Sequence, residues 1–148
     1  MEYDHREAMK LKHQLCFPLY AAARCVVNLY TPLLKPLGLT YTQYIVLMVL
    51  WEHRSVNVGQ LGATLLLDAG TLTPLLKRME QAGLVTRARS AEDERVTIVT
   101  ITKKGEALKE KCKDIPLAMS QGNDRLTDKE QAELYRILYK LLGEGGKS

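Results

Sequence analysis

The stretch LGATLLLDAGTLTPLLKRMEQAGLVTRARSAEDERVTIVTIT, residues 61–102, decides the fold. Leu72, Leu75, Leu76 and Met79 recur at i, i+3, i+4 and i+7, one apolar face of a helix. Thr71, Thr73, Lys77, Arg78 and Gln81 lie mostly off that face. Gly83 stands where a helix ends in the left-handed conformation. Leu84–Arg89 and Arg95–Thr100 then read as two strands about the polar turn Ser90-Ala91-Glu92-Asp93-Glu94.

A helix, a tight turn, a second helix and a β-hairpin make a winged helix-turn-helix, a motif that lays one helix in a DNA major groove. The expected class is therefore mainly α with a small β-wing. Thr71, Thr73, Pro74, Lys77, Arg78, Arg87, Asp93 and Arg95 are the candidate DNA-binding residues. Bulk charge adds little. The formal net charge is +4, but Lys77, Arg78, Arg87, Arg89 and Arg95 are matched one for one by Asp68, Glu80, Glu92, Asp93 and Glu94. What matters is which face carries the cations. Arg95 has a second reading, an ion pair with Asp93 that shapes the wing.

Outward from the motif, the chain reads as further helices. Pro18 is tolerated in a first turn, where N–H groups lack intrahelical partners. The first helix should thus start near Gln14 or Leu15 and run to Tyr30, with Cys16 in its first turn; a longer helix kinked at Pro18 is the alternative. Pro32, Pro36 and Gly38 interrupt the pattern. Thr40 and Gln43 form a capping box for a helix from Tyr41 to His53, apolar nearly all round and hence buried. Residues 55–58 read as a short extended segment, with a helix to Leu66 after it. Asp68 is the best cap for the next helix. That start puts Pro74 deep inside, so the first turn is expected to be irregular between Asp68 and Thr71. Thr102 should cap a helix to Met119, and 121–124 a break. Thr127 and Glu130 box the last helix, with Leu134, Ile137, Leu138 and Leu141 on one face. The tail beyond Gly143 reads as disordered.

The expected organisation is one domain over 1–148. Its winged lobe spans 55–102, with dimerisation helices over 1–38 and 103–148. The terminal helices carry more apolar face than a small winged lobe must cover, which points to a two-fold dimer. Completing a monomeric core is the other reading. No apolar run reaches membrane length, and Met1-Glu2-Tyr3-Asp4-His5 lacks a signal peptide's apolar region. A cytoplasmic protein without a membrane partner is expected.

Cys16, Cys25 and Cys112 have no metal-ligand spacing with each other or with His5, His13 and His53, so no metal or cofactor is expected. The histidines read as surface or capping residues. A helix N-terminus favours thiolate. Tyr20, one turn on from Cys16, could reach the sulfur with its hydroxyl. Cys16 is therefore either a reactive thiol or an inert buried one. Cys25 falls on the opposite helix face and reads as core. Cys112 lies among lysines, which favour thiolate; a lightly exposed bystander is the other reading.

From about Leu11 to Pro116 the chain resembles the MarR family, specifically its organic-hydroperoxide-sensing OhrR branch. The resemblance rests on Gln14-Leu15-Cys16-Phe17, Leu39-Thr40-Tyr41-Thr42-Gln43-Tyr44, Leu50-Trp51-Glu52-His53, residues 70–80, and Glu92-Asp93-Glu94-Arg95. Asp93-x-Arg95 followed by Ile101-Thr102 is the general signature. Cys16-Phe17 with Tyr20, Tyr30 and Tyr41 is the more specific part. The resemblance implies a homodimeric repressor, not an enzyme, whose reduced form binds double-stranded DNA at a palindromic operator. It implies that organic hydroperoxide oxidises Cys16, with Phe17, Tyr20, Tyr30 and Tyr41 forming the sensor pocket, partly from the partner subunit. Tyr30 is about 21 Å along a straight helix from Cys16, so it would approach another subunit's thiol. Two subtypes are implied. In one, a low-molecular-weight thiol is added to Cys16. In the other, a second cysteine resolves it; the expected position near Gln121 holds none, and Cys112, about two turns earlier, is the candidate resolving cysteine. A repressor released by a small phenolic or hydrophobic ligand, and a thiol peroxidase, are the competing functional readings.

Overall fold

The computed structural model describes residues 3–122 and 124–143. Its elements are α1 (His5–Ala8), α2 (Cys16–Leu34), α3 (Tyr41–His53), β1 (Ser55–Asn57), α4 (Val58–Leu65), α5 (Ala69–Gln81), β2 (Val85–Arg89), β3 (Thr97–Ile101), α6 (Lys103–Cys112), α7 (Ile115–Gln121) and α8 (Asp128–Leu142). The strands form one antiparallel sheet in the order β1-β3-β2. Val56 and Arg87 flank Val99 in its register, so the extended segment read at 55–58 forms over 55–57 and pairs with the hairpin.

The core lies around α3. Val46, Leu47 and Leu50 of that helix are fully buried, together with Leu61 of α4, Leu72, Leu76 and Met79 of α5, and Val85 and Val99 of the sheet. Burying side chains of this size is worth about 1.5–3 kcal/mol each, which outweighs several local preferences. Asp68 caps α5, its Oδ1 accepting from Thr71 N at 2.8 Å, and Leu72 N donates to Asp68 O at 2.9 Å. The helix is thus regular from Ala69, and the irregular turn expected there does not form. Pro74 sits inside it. The carbonyl of exposed Gly70, which loses its partner, is left to water, while Leu72, Leu75 and Leu76 anchor the turn.

The same logic extends α2 four residues past Tyr30. Pro32 lies inside the helix on an exposed side, and continuing the helix delivers Leu34 to the core. In contrast, the single helix expected from Thr102 to Met119 is broken at Lys113–Asp114. The carbonyl of Cys112 would need the N–H of residue 116, and Pro116 has none. The second hairpin strand starts at Thr97 rather than Arg95, because Arg95 N donates to Asp93 Oδ1 (3.0 Å) and Val96 N to Asp93 O (3.0 Å). The break foreseen at 121–124 falls after α7, although Asn123 lies outside the described residues. So do residues 144–148 of the tail and Met1–Glu2.

Two junctions set the lobe's geometry. After α5, Gly83 takes φ +74°, Leu84 N donates to Met79 O and Gly83 N to Glu80 O, each at 2.9 Å. This is a Schellman turn. The start of α6 closes on it: Thr102 N donates to Leu84 O (3.1 Å), Thr102 Oγ1 to Gly83 O (2.6 Å) and Lys104 Nζ to Ala82 O (2.8 Å). Gly105 permits that approach, since a Cβ there would stand 2.4 Å from Leu84 O and 2.8 Å from Ile101 Cγ1.

The terminal helices behave differently. Along 19 residues, α2 buries only Leu34; Phe17, Leu19, Tyr20, Val26, Val27 and Leu29 are exposed. On α8, Leu134, Ile137 and Leu141 are exposed as well. Cys25, expected in the core, is exposed because none of the described residues covers its face of α2. No single helix among the described residues is long and apolar enough to cross a membrane.

Gly105→Ala is expected to lower stability by about 1–3 kcal/mol through overpacking against Leu84. Gly59→Ala, whose Cβ would meet nothing closer than Asn57 Oδ1 at 3.4 Å, should leave it unchanged or raise it by up to about 1 kcal/mol. Denaturant titration of both variants checks the contrast.

Candidate DNA-binding face and thiol site

With Leu72, Leu75, Leu76 and Met79 buried, α5 turns Thr71, Thr73, Pro74, Lys77 and Arg78 outward. Its acidic neighbours are occupied by structure. Glu80 accepts Arg87 N at 3.0 Å and Arg87 Nη2 at 3.1 Å, tying β2 to the last turn of α5. These bonds from Arg87 hold the Glu80 carboxyl below its usual range. The Arg87 side chain is only 25% exposed, so of the candidate contacts it is the one the structure commits to the lobe itself. At the wing tip, Arg95 Nε and Nη2 bind Asp93 Oδ1 and Oδ2, each at 3.1 Å. The Asp93 carboxyl is likewise held low by this fork. Yet the Arg95 side chain remains 90% exposed. Asp93 therefore aims the guanidinium without covering it, so the two sequence readings of Arg95 are compatible. Lys77, Arg78 and Arg89 have no carboxylate within ion-pair distance among the described residues. Sequence reasoning left Arg89 out; its alternation with Arg87 along β2 was the available signal. A groove of about 760 Å³ runs between the α4–α5 turn and the wing, with Leu66, Asp68 and Ala69 on one side and Arg95 and Val96 on the other.

The thiol site is split between the two ends of α2. Cys16 is the first residue of that helix and is exposed. Leu15 precedes it and contributes no capping side chain, so the first-turn N–H groups are free of one. Phe17 and Tyr20 are exposed beside it. The Tyr20 ring lies 5.4 Å from the Arg24 guanidinium carbon, a cation–π contact. Among the described residues no hydrogen bond links Tyr20 to Cys16, since that ring leans along the helix toward Arg24. At the other end, the Tyr30 ring packs on Tyr41 (4.7 Å between centroids) and on Tyr44 (5.9 Å). Burial, and secondly the neighbouring Tyr30, pushes the Tyr41 hydroxyl up; burial also raises Tyr44, with Cys112 and the other two tyrosines adding to it. Both phenols are therefore neutral hydrogen-bond donors near pH 7. Tyr44 was missed from sequence, although it lies one turn after Tyr41 on the same face.

Cys112 is buried, at 2% exposure. Its neighbouring lysines, which suggested thiolate, point to solvent from the outer side of α6, and burial pushes the thiol up instead. It lies at the base of an open cavity of about 400 Å³ with Tyr44, Met48, Trp51 and Pro116; Glu52, Lys109 and Lys113 stand at the rim. Among the described residues, no cluster of His, Cys, Asp and Glu could hold a metal ion.

Comparison with known proteins agrees with this geometry. A family model described as transcriptional regulator SarA/Rot matches residues 28–112. The chain is 48% identical over 141 residues to the organic hydroperoxide resistance transcriptional regulator of Bacillus subtilis (strain 168), covering 95% of this chain and 93% of the relative. It superposes on reduced AbfR bound to DNA with a TM-score of 0.75 at 37% identity, covering 93% of this chain and 95% of that one; AbfR is from Staphylococcus epidermidis. On an Escherichia coli MarR mutant complexed with operator DNA the TM-score is 0.80 at 27% identity, covering 87% and 94%. With the winged lobe and the wing-tip Asp93–Arg95 fork in place, and with 48% identity to the Bacillus subtilis regulator over nearly the whole chain, the chain belongs to the MarR family of transcriptional regulators, in its organic hydroperoxide resistance (OhrR) branch.

Proposed function

We propose that the protein is a DNA-binding transcriptional repressor that senses organic hydroperoxides by oxidation of Cys16 and then releases a palindromic operator. The observation that carries this reading is an exposed thiol in the first turn of α2, in a chain whose winged lobe is complete. The reduced protein binds double-stranded DNA as a homodimer in the cytoplasm. It acts as a regulator rather than an enzyme, because each oxidation switches one binding event. The exposed apolar faces of α2 and α8 supply the dimer contact.

The chemistry follows from the thiolate. Its sulfur attacks the outer oxygen of the hydroperoxide, the O–O bond breaks, and the departing alkoxide takes a proton. Sulfur is oxidised to a sulfenic acid and the peroxide is reduced to the alcohol. A low-molecular-weight thiol then condenses with the sulfenic acid, releasing water and leaving a mixed disulfide. The buried, high-pKa thiol of Cys112 supports this one-cysteine route over a bridge to Cys112. Phe17 and Tyr20 beside the thiol, with Tyr30 and Tyr41 of the partner subunit, form the sensor pocket. DNA contacts come from Thr71, Thr73 and Pro74 at base edges and from Lys77, Arg78, Arg89 and Arg95 at phosphates or groove.

A second reading, a repressor released by a small phenolic or hydrophobic ligand, has in its favour the cavity beside Tyr44 and Trp51. Cys16→Ser separates the two. On the redox reading it binds operator like the wild type and holds it when organic hydroperoxide is added. Release by peroxide from this variant would move the ligand reading ahead.

Removing a single DNA contact should also be legible. Arg95→Ala should weaken operator binding by about 1–3 kcal/mol and flatten the dependence of log K on log salt by about one unit per wing. Unchanged affinity and slope in a salt titration would confine Arg95 to shaping the wing. Cys112→Ser should release DNA like the wild type when peroxide and a small thiol are both present. A dimer-linked band on a non-reducing gel that disappears in this variant would instead support the bridge.

A further inference from the structure

Between the tyrosine cluster and the DNA-reading helix runs an unbroken series of contacts. Tyr44, which packs on Tyr30, also meets Trp51 edge to face, with centroids 6.1 Å apart at an interplanar angle of 69°. Tyr44 and Trp51 are seven residues apart on α3, hence on one face. The Trp51 indole N–H donates to the Gly105 carbonyl at 3.0 Å. Gly105 in turn abuts Leu84 so closely that no Cβ fits, and Thr102 of the same junction binds Gly83 and Leu84. Those residues are the turn that ends α5. Trp51 thus gives α3 a hydrogen bond to the start of α6, beside the longer Arg54–Glu106 ion pair at 4.0 Å.

We infer that Trp51 is a positioning residue for the peroxide response, coupling the Tyr30–Tyr41–Tyr44 cluster to the C-terminal end of α5 through its hydrogen bond to Gly105. The inference rests on the redox reading above. Rearrangement of Tyr30 or Tyr41 around an oxidised thiol repacks Tyr44. Tyr44 meets Trp51 edge to face, so a displacement of the Tyr44 ring tilts the Trp51 ring with it. The indole N–H is directional, so a tilt strains or breaks the bond to Gly105 and shifts the α6 clamp on the Schellman turn.

Trp51 is the only tryptophan of the chain, so its emission reports on the link directly. In the full-length protein, cumene hydroperoxide should shift Trp51 emission in the wild type and not in Cys16→Ser. Trp51→Phe keeps an aromatic ring against Tyr44 but loses the donor. It should bind operator when reduced within about threefold of wild type, and thiol titration should show Cys16 oxidised as fast as in the wild type. Its release of DNA on oxidation should nevertheless fall by about tenfold, or ~1.4 kcal/mol of coupling. Tyr44→Phe should respond normally, whereas Tyr44→Leu, lacking the ring, should be uncoupled like Trp51→Phe. Wild-type release by oxidised Trp51→Phe, or constant Trp51 emission while the wild type lets go of DNA, overturns the inference. If Trp51→Phe fails to fold, the wild-type emission and the Tyr44 pair decide. If wild-type protein with oxidised Cys16 keeps its operator, the redox reading itself fails, a result distinct from any of these.

Discussion

The unbroken helix from Cys16 to Leu34 separates the Cys16 thiol from the Tyr30–Tyr41 pair. Fourteen residues of straight helix is about 21 Å, and neither Pro18 nor Pro32 interrupts it. No side chain spans that distance, so on the proposed reading a sensor pocket that joins Cys16 to Tyr30 and Tyr41 is assembled from two chains. The same helix exposes apolar side chains along nearly its whole length. An uncovered stripe of that extent is what a two-fold partner would bury. On the proposed reading, pairing and sensing thus share one constraint: the exposed apolar surface that a partner would cover is the surface from which a partner would complete the thiol site.

The DNA-binding lobe answers to a different requirement, holding a short recognition helix and a two-stranded wing in fixed relation. Carboxylates placed in the lobe do this. Asp68 starts α5, Glu80 fastens β2 to its last turn through Arg87, and Asp93 forks Arg95 at the wing tip. Three of the five acids that cancel a cation in the charge count, Asp68, Glu80 and Asp93, are spent on geometry, while Lys77, Arg78, Arg89 and the far side of Arg95 face outward. At the exposed surface such pairs add little stability. Their contribution is orientation, and orientation is what a groove-reading surface needs.

Much of this was legible in the sequence. The 3.6-residue apolar period of 72–79, the Gly83 stop and the capping residues Thr40, Thr102 and Thr127 located the helices, because those signals are local. The errors came where tertiary burial overrode a local preference. Leu34 drew α2 past Pro32, and Leu72 with Leu75 and Leu76 made α5 regular despite Pro74. Pro116 acted the other way: its missing N–H broke a helix whose charge pattern looked continuous. Cys25 and Cys112 exchanged expected places, since burial on a helix depends on which face meets another element and spacing alone does not reveal it. Cys16 could be placed in a first turn from Pro18, but its neighbours Tyr30 and Tyr41 became interpretable only through the family resemblance.

The account turns on a sensor site shared between subunits, and a mixed dimer tests it most directly. One chain carries Cys16→Ser with its tyrosines intact; the other keeps Cys16 but carries Tyr30→Phe and Tyr41→Phe. The only remaining thiol sensor then faces wild-type tyrosines of its partner if the site is shared, and altered ones if it lies within a chain. The prediction is that this thiol is oxidised by organic hydroperoxide at close to the wild-type rate, well above the rate in a dimer carrying the tyrosine substitutions on both chains. Oxidation in the mixed dimer as slow as in the doubly substituted one would contradict the account.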